Sequence, residues 1–292
     1  MYKKLLKYDL RSIWRFALPL LIALGAITVI GSMNVILFNT LIAPHLANET
    51  VEVEQSVWLT LGTVLNYIIG YISSIALSII PTAILVVICV DFYQSLITDQ
   101  GYLTFTLPVD AKTIIFSKFT NALIWIFGGG VACLFSNYIQ TLAGVLTMGD
   151  NYGIGYNDLN SIAGEIFVDL MPLITPDVVV TIILVLILGV CYIVNDILLY
   201  FAAIFFGSVI SKKNKLLSAI GCIFGANFIY GLLFGIIFVI AIFALGVAAA
   251  TSDAIWLAIN IALGICILVI VGISIGLYFA LKYMMEKKLN LA

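Results

Sequence analysis

Charge is scarce in this sequence. Only 10% of its 292 residues are Asp, Glu, Lys or Arg, against 63% hydrophobic, whereas ordinary soluble domains carry about 25% charged residues. So little polar surface cannot cover a water-facing fold. A soluble globular protein is therefore excluded, and lipid becomes the expected solvent. Histidine is nearly missing: His45 stands alone, and one exposed imidazole builds no metal or acid–base site. No HExxH motif and no GxxxxGK[ST] phosphate loop occur, which removes zincin chemistry and ATP hydrolysis by that route. Cysteine pairs are also lacking. Cys89, Cys133, Cys191, Cys222 and Cys266 are far apart in apolar runs with no CxxC spacing, so they read as small hydrophobes, not as metal ligands or disulfides. A net charge of −2 argues against a nucleic-acid partner.

What is present is six long apolar runs, at about 16–43, 57–90, 113–147, 178–210, 216–250 and 254–282. A helix crosses the hydrocarbon core with about 20 apolar residues. Open sheets cannot span lipid, and barrel strands would alternate over about 10 residues. The expected fold is all-α: a polytopic membrane protein, one permease-like domain over 1–292, with six transmembrane helices. Pro81, inside the second run, is expected to kink it. The first run is too long for a signal-peptide core and reads as a permanent span.

Three of the connections between these runs contain no Lys or Arg. All 13 fall elsewhere: five in the N-terminal segment, two (Lys112, Lys118) between spans two and three, three (Lys212, Lys213, Lys215) between spans four and five, and three after span six. The remaining connections hold nine acids instead. An odd number of spans would break this alternation. The positive-inside rule then places both termini in the cytoplasm.

Two segments on that side carry patterns of their own. In residues 1–15, Lys4, Lys7, Arg11 and Arg15 fall on one helical stripe, opposite Tyr2, Leu5, Leu6, Leu10, Ile13 and Trp14. This predicts a helix lying in the membrane interface with its cations toward anionic headgroups, and Asp9 is its one misfit. The connection 91–112 predicts a short helix from Asp91 to Gln100 stopped by Gly101, followed by Leu107-Pro108, with Asp110 as N-cap of span three. Phe92, Tyr93, Leu96 and Ile97 form an apolar patch on that helix. It reads either as a docking surface for another protein or as packing on the chain's own helices. Lys112 and Lys118 are expected at the headgroups.

On these residues the chain resembles a known family, the ABC-2 type permease subunits of bacterial ATP-binding-cassette exporters, particularly those of Firmicutes. KLLKYDLRSIWR (Lys4 to Arg15) is similar to their interfacial elbow helix. DFYQSLITDQGYLTFTLPV (Asp91 to Val109) is similar to their loop between spans two and three, and FGSVISKKNK (Phe206 to Lys215) to the end of span four. The resemblance implies a bacterial plasma-membrane protein that pairs with a second permease subunit, identical or not, and with cytoplasmic ATP-binding subunits. It would be a transport subunit rather than an enzyme, with no cofactor of its own and ATP bound by the partner. It further implies that Phe92, Tyr93, Leu96 and Ile97 are coupling contacts, with Tyr102, Leu103, Phe105 and Pro108 shaping the turn.

One charge lies at membrane depth. Asp196, beside Asn195, sits well inside span four. Such a carboxylate costs about 2.5–3.5 kcal/mol on insertion scales and marks a functional site by default. Three readings stay open: structural glue bonded to Asn66, Asn121, Asn137, Asn227 or Asn260, part of a substrate path, or a proton carrier in an ion-coupled secondary transporter. A non-transporting scaffold or sensor is a further alternative. Gly128–Gly130 and the GxxxG spacings at Gly221/Gly225, Gly231/Gly235 and Gly272/Gly276 read first as internal packing and second as a dimer seam. The acidic, Gly- and Asn-rich segment 148–177 is expected outside the cell.

Overall fold

The computed structural model of the chain describes residues 2–46, 53–98, 101, 110–151, 175–211, 214–248 and 252–287. Tyr102, Leu103, Phe105 and Pro108 lie outside the described residues, as does 152–174. Six long helices carry the rest: α1 (Tyr2–Leu37), α2 (Val53–Ile97), α3 (Ala111–Asn151), α4 (Pro176–Ile210), α5 (Lys215–Ala248) and α6 (Ser252–Lys287). A π-helical turn, Phe38–Ile42, and one α-helical turn, Ala43–Leu46, prolong α1. All six helices are long and apolar enough to cross a membrane, and no strand occurs among the described residues. The chain is an all-α, multi-pass membrane protein.

The helices overrun the apolar windows. At a rise of 1.5 Å per residue, the 45 residues of α2 extend about 68 Å, more than twice a hydrocarbon core of about 30 Å. The segment read as an interfacial helix is helical and forms the first turns of α1, joined to the span. The segment read as a coupling helix is helical through Ile97 and continues α2. The buried faces explain the continuity. On α2 they fall at Ser73, Leu77, Ile80, Ile84, Ile88, Phe92 and Leu96, steps of three or four that pass straight through Asp91. No Gly or Pro lies between Thr82 and Gln100 to stop the helix.

Pro81 sits within α2, where it has no N–H for the carbonyl of Leu77, four residues back. The Cys133 thiol of α3 approaches that oxygen at 4.0 Å. A side chain on a neighbouring helix thus meets a backbone group that proline leaves unpaired in lipid.

Two compact units divide the chain, and the divisions fall inside α1, α2 and α3. Unit one comprises 1–10, 88–123 and 171–292; unit two comprises 11–87 and 124–170. Unit two is held by neutral polar pairs. Asn34 Nδ2 donates to Asn66 Oδ1 at 2.8 Å, Asn39 Nδ2 donates to Thr147 Oγ1 at 2.8 Å, and the hydroxyls of Thr28 and Ser136 share a hydrogen bond. Asn39 belongs to the π-helical turn. Trp14 and Trp125 add a tilted ring pair, 5.8 Å between centroids. In unit one, α4 packs on α5 and α6, with Ile197, Phe201 and Phe205 in its core. Gly207 lets α4 and α5 approach closely: a Cβ there would stand 2.5 Å from the Cα of Ala219.

The GxxxG pairs pack otherwise than expected. A Cβ at Gly221, Gly225, Gly231, Gly235, Gly272 or Gly276 would meet nothing within 4 Å. Among the described residues these glycines mediate no close contacts. Gly129 does face a neighbour, the Ile84 side chain.

Candidate functional site

Two polar constellations stand out in unit one, and the first gathers ions. Lys118 Nζ lies 2.8 Å from Asp9 Oδ1 and 2.9 Å from Asp91 Oδ2. Ser117 Oγ donates to the second Asp9 oxygen at 2.6 Å. One ammonium therefore bridges two carboxyl groups and ties α1, α2 and α3 together. Lys118 is only 6% exposed, so the expectation that it faces headgroups is corrected: it points into the bundle. Its place follows from α3's inward stripe, Ile114, Lys118, Ala122 and Trp125, where a charge persists only if paired. Asp9, the misfit of the N-terminal pattern, is buried on the same grounds, one turn before Ile13 on the inward face of α1. The cations Lys4, Lys7, Arg11 and Arg15 are all exposed, as their stripe requires. Tyr2 adds a contact with α3, its hydroxyl 3.0 Å from Thr120 Oγ1 and its ring 5.7 Å from that of Phe116.

Next to Asp91, the aromatic patch turns inward. Phe92 has no exposed surface and stacks on Phe201 of α4, with centroids 3.8 Å apart and planes 6° from parallel; Phe205 meets it edge-on at 5.9 Å. Leu96 and Ile97 are buried too, and Tyr93 remains half-buried. For Phe92, Leu96 and Ile97, packing on the chain's own helices is what the structure shows. The end of α2 is thus wired twice, by Asp91 to α1 and α3 through Lys118, and by Phe92 to α4.

The second constellation is on α4. Asn195 is fully buried and joins three helices: its Nδ2 donates to Tyr230 Oη of α5 at 2.6 Å, and its Oδ1 accepts from Ser274 Oγ of α6 at 3.1 Å. Among the described residues the interhelical hydrogen bonds here are made by Asn195 rather than by Asp196. The asparagines considered as partners for Asp196 are engaged elsewhere or apart. Asn66 bonds Asn34, Asn137 bonds the Cys133 carbonyl, Asn227 accepts from Tyr200 at 3.5 Å, and Asn260 accepts from Thr181 at 2.7 Å. Asn121 keeps a buried Oδ1 without a hydrogen-bond partner among the described residues. Among the described residues no hydrogen bond or ion pair reaches the half-buried Asp196 carboxyl. On α4 it stands one turn from both Tyr192 and Tyr200.

An apolar cavity of about 560 Å³ opens between α3, α4 and α6, lined by Phe116, Phe119, Val194, Val271, Ser274 and Phe279 among others. Its wall shares Ser274 with the Asn195 junction. Sequence reasoning missed the Lys118 bridge and the Asn195 junction. The signal available for the first was position: Lys118 occupies the apolar stripe of its helix. For the second no comparable signal exists, since Tyr230 and Ser274 come into register only through packing. Compared with known proteins, the chain matches no family model, no curated protein and no solved structure.

Proposed function

We propose that the chain is the membrane-spanning permease subunit of a bacterial ATP-binding-cassette exporter, working as a pair with a second permease subunit and driven by a separate cytoplasmic ATPase. The observation that carries this reading is the double wiring at the end of α2. Asp91 and Phe92 link one helix end to α1, α3 and α4 through a buried ion bridge and a ring stack. A displacement of the end of α2 would be passed to α1, α3 and α4 through these contacts, which is what a coupling element needs. The half-buried Tyr93 is the residue of the patch best placed to touch a partner, and Phe92 acts behind it as the transmitting contact. The six spans, the exposed cationic stripe of α1, the resemblance of Asp91 to Val109 to the coupling loop, and the lack of a phosphate loop in the sequence support the same reading. The Lys and Arg distribution supports cytoplasmic termini. In this reading the cavity between α3, α4 and α6 suits apolar or amphipathic cargo.

The test is co-expression with a candidate ATPase carrying a phosphate loop, followed by ATP-driven transport in vesicles. Tyr93→Ala is expected to leave insertion and folding intact while stimulated ATP turnover and transport fall together, roughly tenfold or more. Phe92→Leu, which keeps apolar packing, should retain more transport than Phe92→Ala. An ATPase that never co-purifies and is never stimulated would overturn the reading. Single cysteines at Lys213→Cys and Glu52→Cys, in a chain without its native cysteines, should label from opposite sides of the membrane.

A second reading is favoured by one observation, the Asp196 carboxyl that no ion pair among the described residues neutralises. It makes the chain an ion-coupled secondary transporter, which would move its substrate on a pH or ion gradient without ATP and lose that activity in Asp196→Asn.

A further inference from the structure

We propose that Asp196 and the tyrosines around it form a binding site for an organic ammonium cation carried on an apolar body. Tyr192, Asp196 and Tyr200 follow one another at four-residue spacing on α4, so their side chains share one face of the helix. Tyr230 of α5 stands opposite, its ring 6.4 Å from that of Tyr192 and 4.6 Å from that of Phe234. On α4 the Asp196 carboxyl group stands one turn from Tyr192 and one turn from Tyr200. The Tyr230 hydroxyl is held by Asn195 at 2.6 Å, and the Tyr200 hydroxyl lies 3.5 Å from Asn227 Oδ1. Two of the rings are thus held by groups other than Asp196.

A carboxylate framed by aromatic faces is the chemistry that recognises alkylammonium ions: the anion supplies the charge, and the ring quadrupoles receive the apolar shell around the cation. Among the described residues, α4, α5 and α6 place no cation beside the carboxyl group. No Lys or Arg occurs between Pro176 and Ile210, and α5 and α6 carry theirs only near their ends, at Lys215, Lys282 and Lys287. A metal cation fits poorly, because hard cations need six or more oxygen ligands, and the amide oxygens of Asn195 and Asn227 already face Ser274 and Tyr200. On the Tyr192 side the site is not covered by the chain's own helices: Tyr192, near the middle of α4, is 47% exposed. The site belongs to this chain alone, so it stands whether or not an ATPase drives the protein.

The experiment uses the full chain in nanodiscs of zwitterionic lipid, without any partner, and titrates phenyltrimethylammonium by calorimetry. We expect saturable binding that Asp196→Asn weakens at least tenfold. Tyr192→Leu should weaken it several-fold, whereas Tyr192→Phe, which keeps the ring, should stay within about twofold. The neutral isostere tert-butylbenzene should not compete. The proposal is overturned by equal affinity in Asp196→Asn, by equal competition from tert-butylbenzene, or by displacement of the probe by sodium or potassium ions at similar concentration. If Asp196→Asn fails to fold, the Tyr192 pair decides: equal affinity in Tyr192→Leu and wild type overturns the site. Proton release without probe binding also overturns it.

Discussion

The two units of this chain solve one problem with different chemistry. Both must hold long helices together in a solvent as apolar as their own side chains, where burying another leucine gains little. Unit two does it with neutral groups: Asn34 with Asn66, Asn39 with Thr147, Thr28 with Ser136. Unit one uses ions at Asp9, Asp91 and Lys118 and adds the Asn195 junction. The difference lies in what happens when a member is lost. A neutral interhelical bond in a membrane is worth about 0.6 kcal/mol on average, because a freed amide or hydroxyl finds other partners. A buried ion stripped of its partner has no such refuge and costs about 3–5 kcal/mol. Unit two should therefore degrade gradually under mutation, and the ion bridge all at once.

The largest expected effect is at Lys118. Lys118→Met removes the ammonium and leaves the Asp9 and Asp91 carboxyl groups facing each other in a buried site. A loss of about 3–5 kcal/mol is expected, read as the drop in unfolding free energy in mixed micelles. Combining Lys118→Met with Asp9→Asn and Asp91→Asn should recover most of that loss, since the uncompensated charge is then gone. A single Lys118→Met variant as stable as wild type would erase the contrast between the units.

Much of this architecture is written in hydropathy. The six spans are plain in the sequence because lipid demands about 20 continuous apolar residues, and the cationic stripe of α1 is plain because helical periodicity sorts it. The boundary at Asp91 is harder to see. A charged residue reads as the end of a span, yet the inward steps Ile84, Ile88, Phe92 and Leu96 carry the helix on past it. Lys118 misleads for the same reason: charge suggests a headgroup position, and the position is inside only because two acids from other helices meet it there. Nothing local announces that meeting. The Asn195–Asp196 pair was visible as a polar spot, but which neighbour does the bonding depends on the rotation of α4 against α5 and α6. The GxxxG pairs show the converse, a pattern that permits close contact but makes none among the described residues.

A middle-sized effect tests whether close packing, rather than polarity, also fixes unit one. Gly207 faces the Ala219 backbone, and an added methyl would come within 2.5 Å of a Cα that no rotamer change can move. Gly207→Ala should cost about 1–3 kcal/mol by forcing α4 and α5 apart. Gly221→Ala, where the same methyl would meet nothing within 4 Å, should be nearly silent in the same assay. Equal losses at both positions would mean that the α4–α5 approach at Gly207 is not a tight contact.

The smallest effect is the sharpest test of the contrast. Asn34 donates to the Asn66 side chain at 2.8 Å and lies 3.3 Å from the Asn66 carbonyl. Asn34→Leu removes both donations but leaves no ion behind, and the lipid around α1 accepts the new side chain. The expected loss is about 0.6 kcal/mol, several times less than for Lys118→Met. The double variant with Asn66→Leu should lose scarcely more than either single one, because each single variant already breaks the same bond. A loss at Asn34 as large as that at Lys118 would mean that amide pairs at this depth find no substitute partners. The gradual behaviour expected of unit two would then give way to the all-or-none behaviour of the ion bridge.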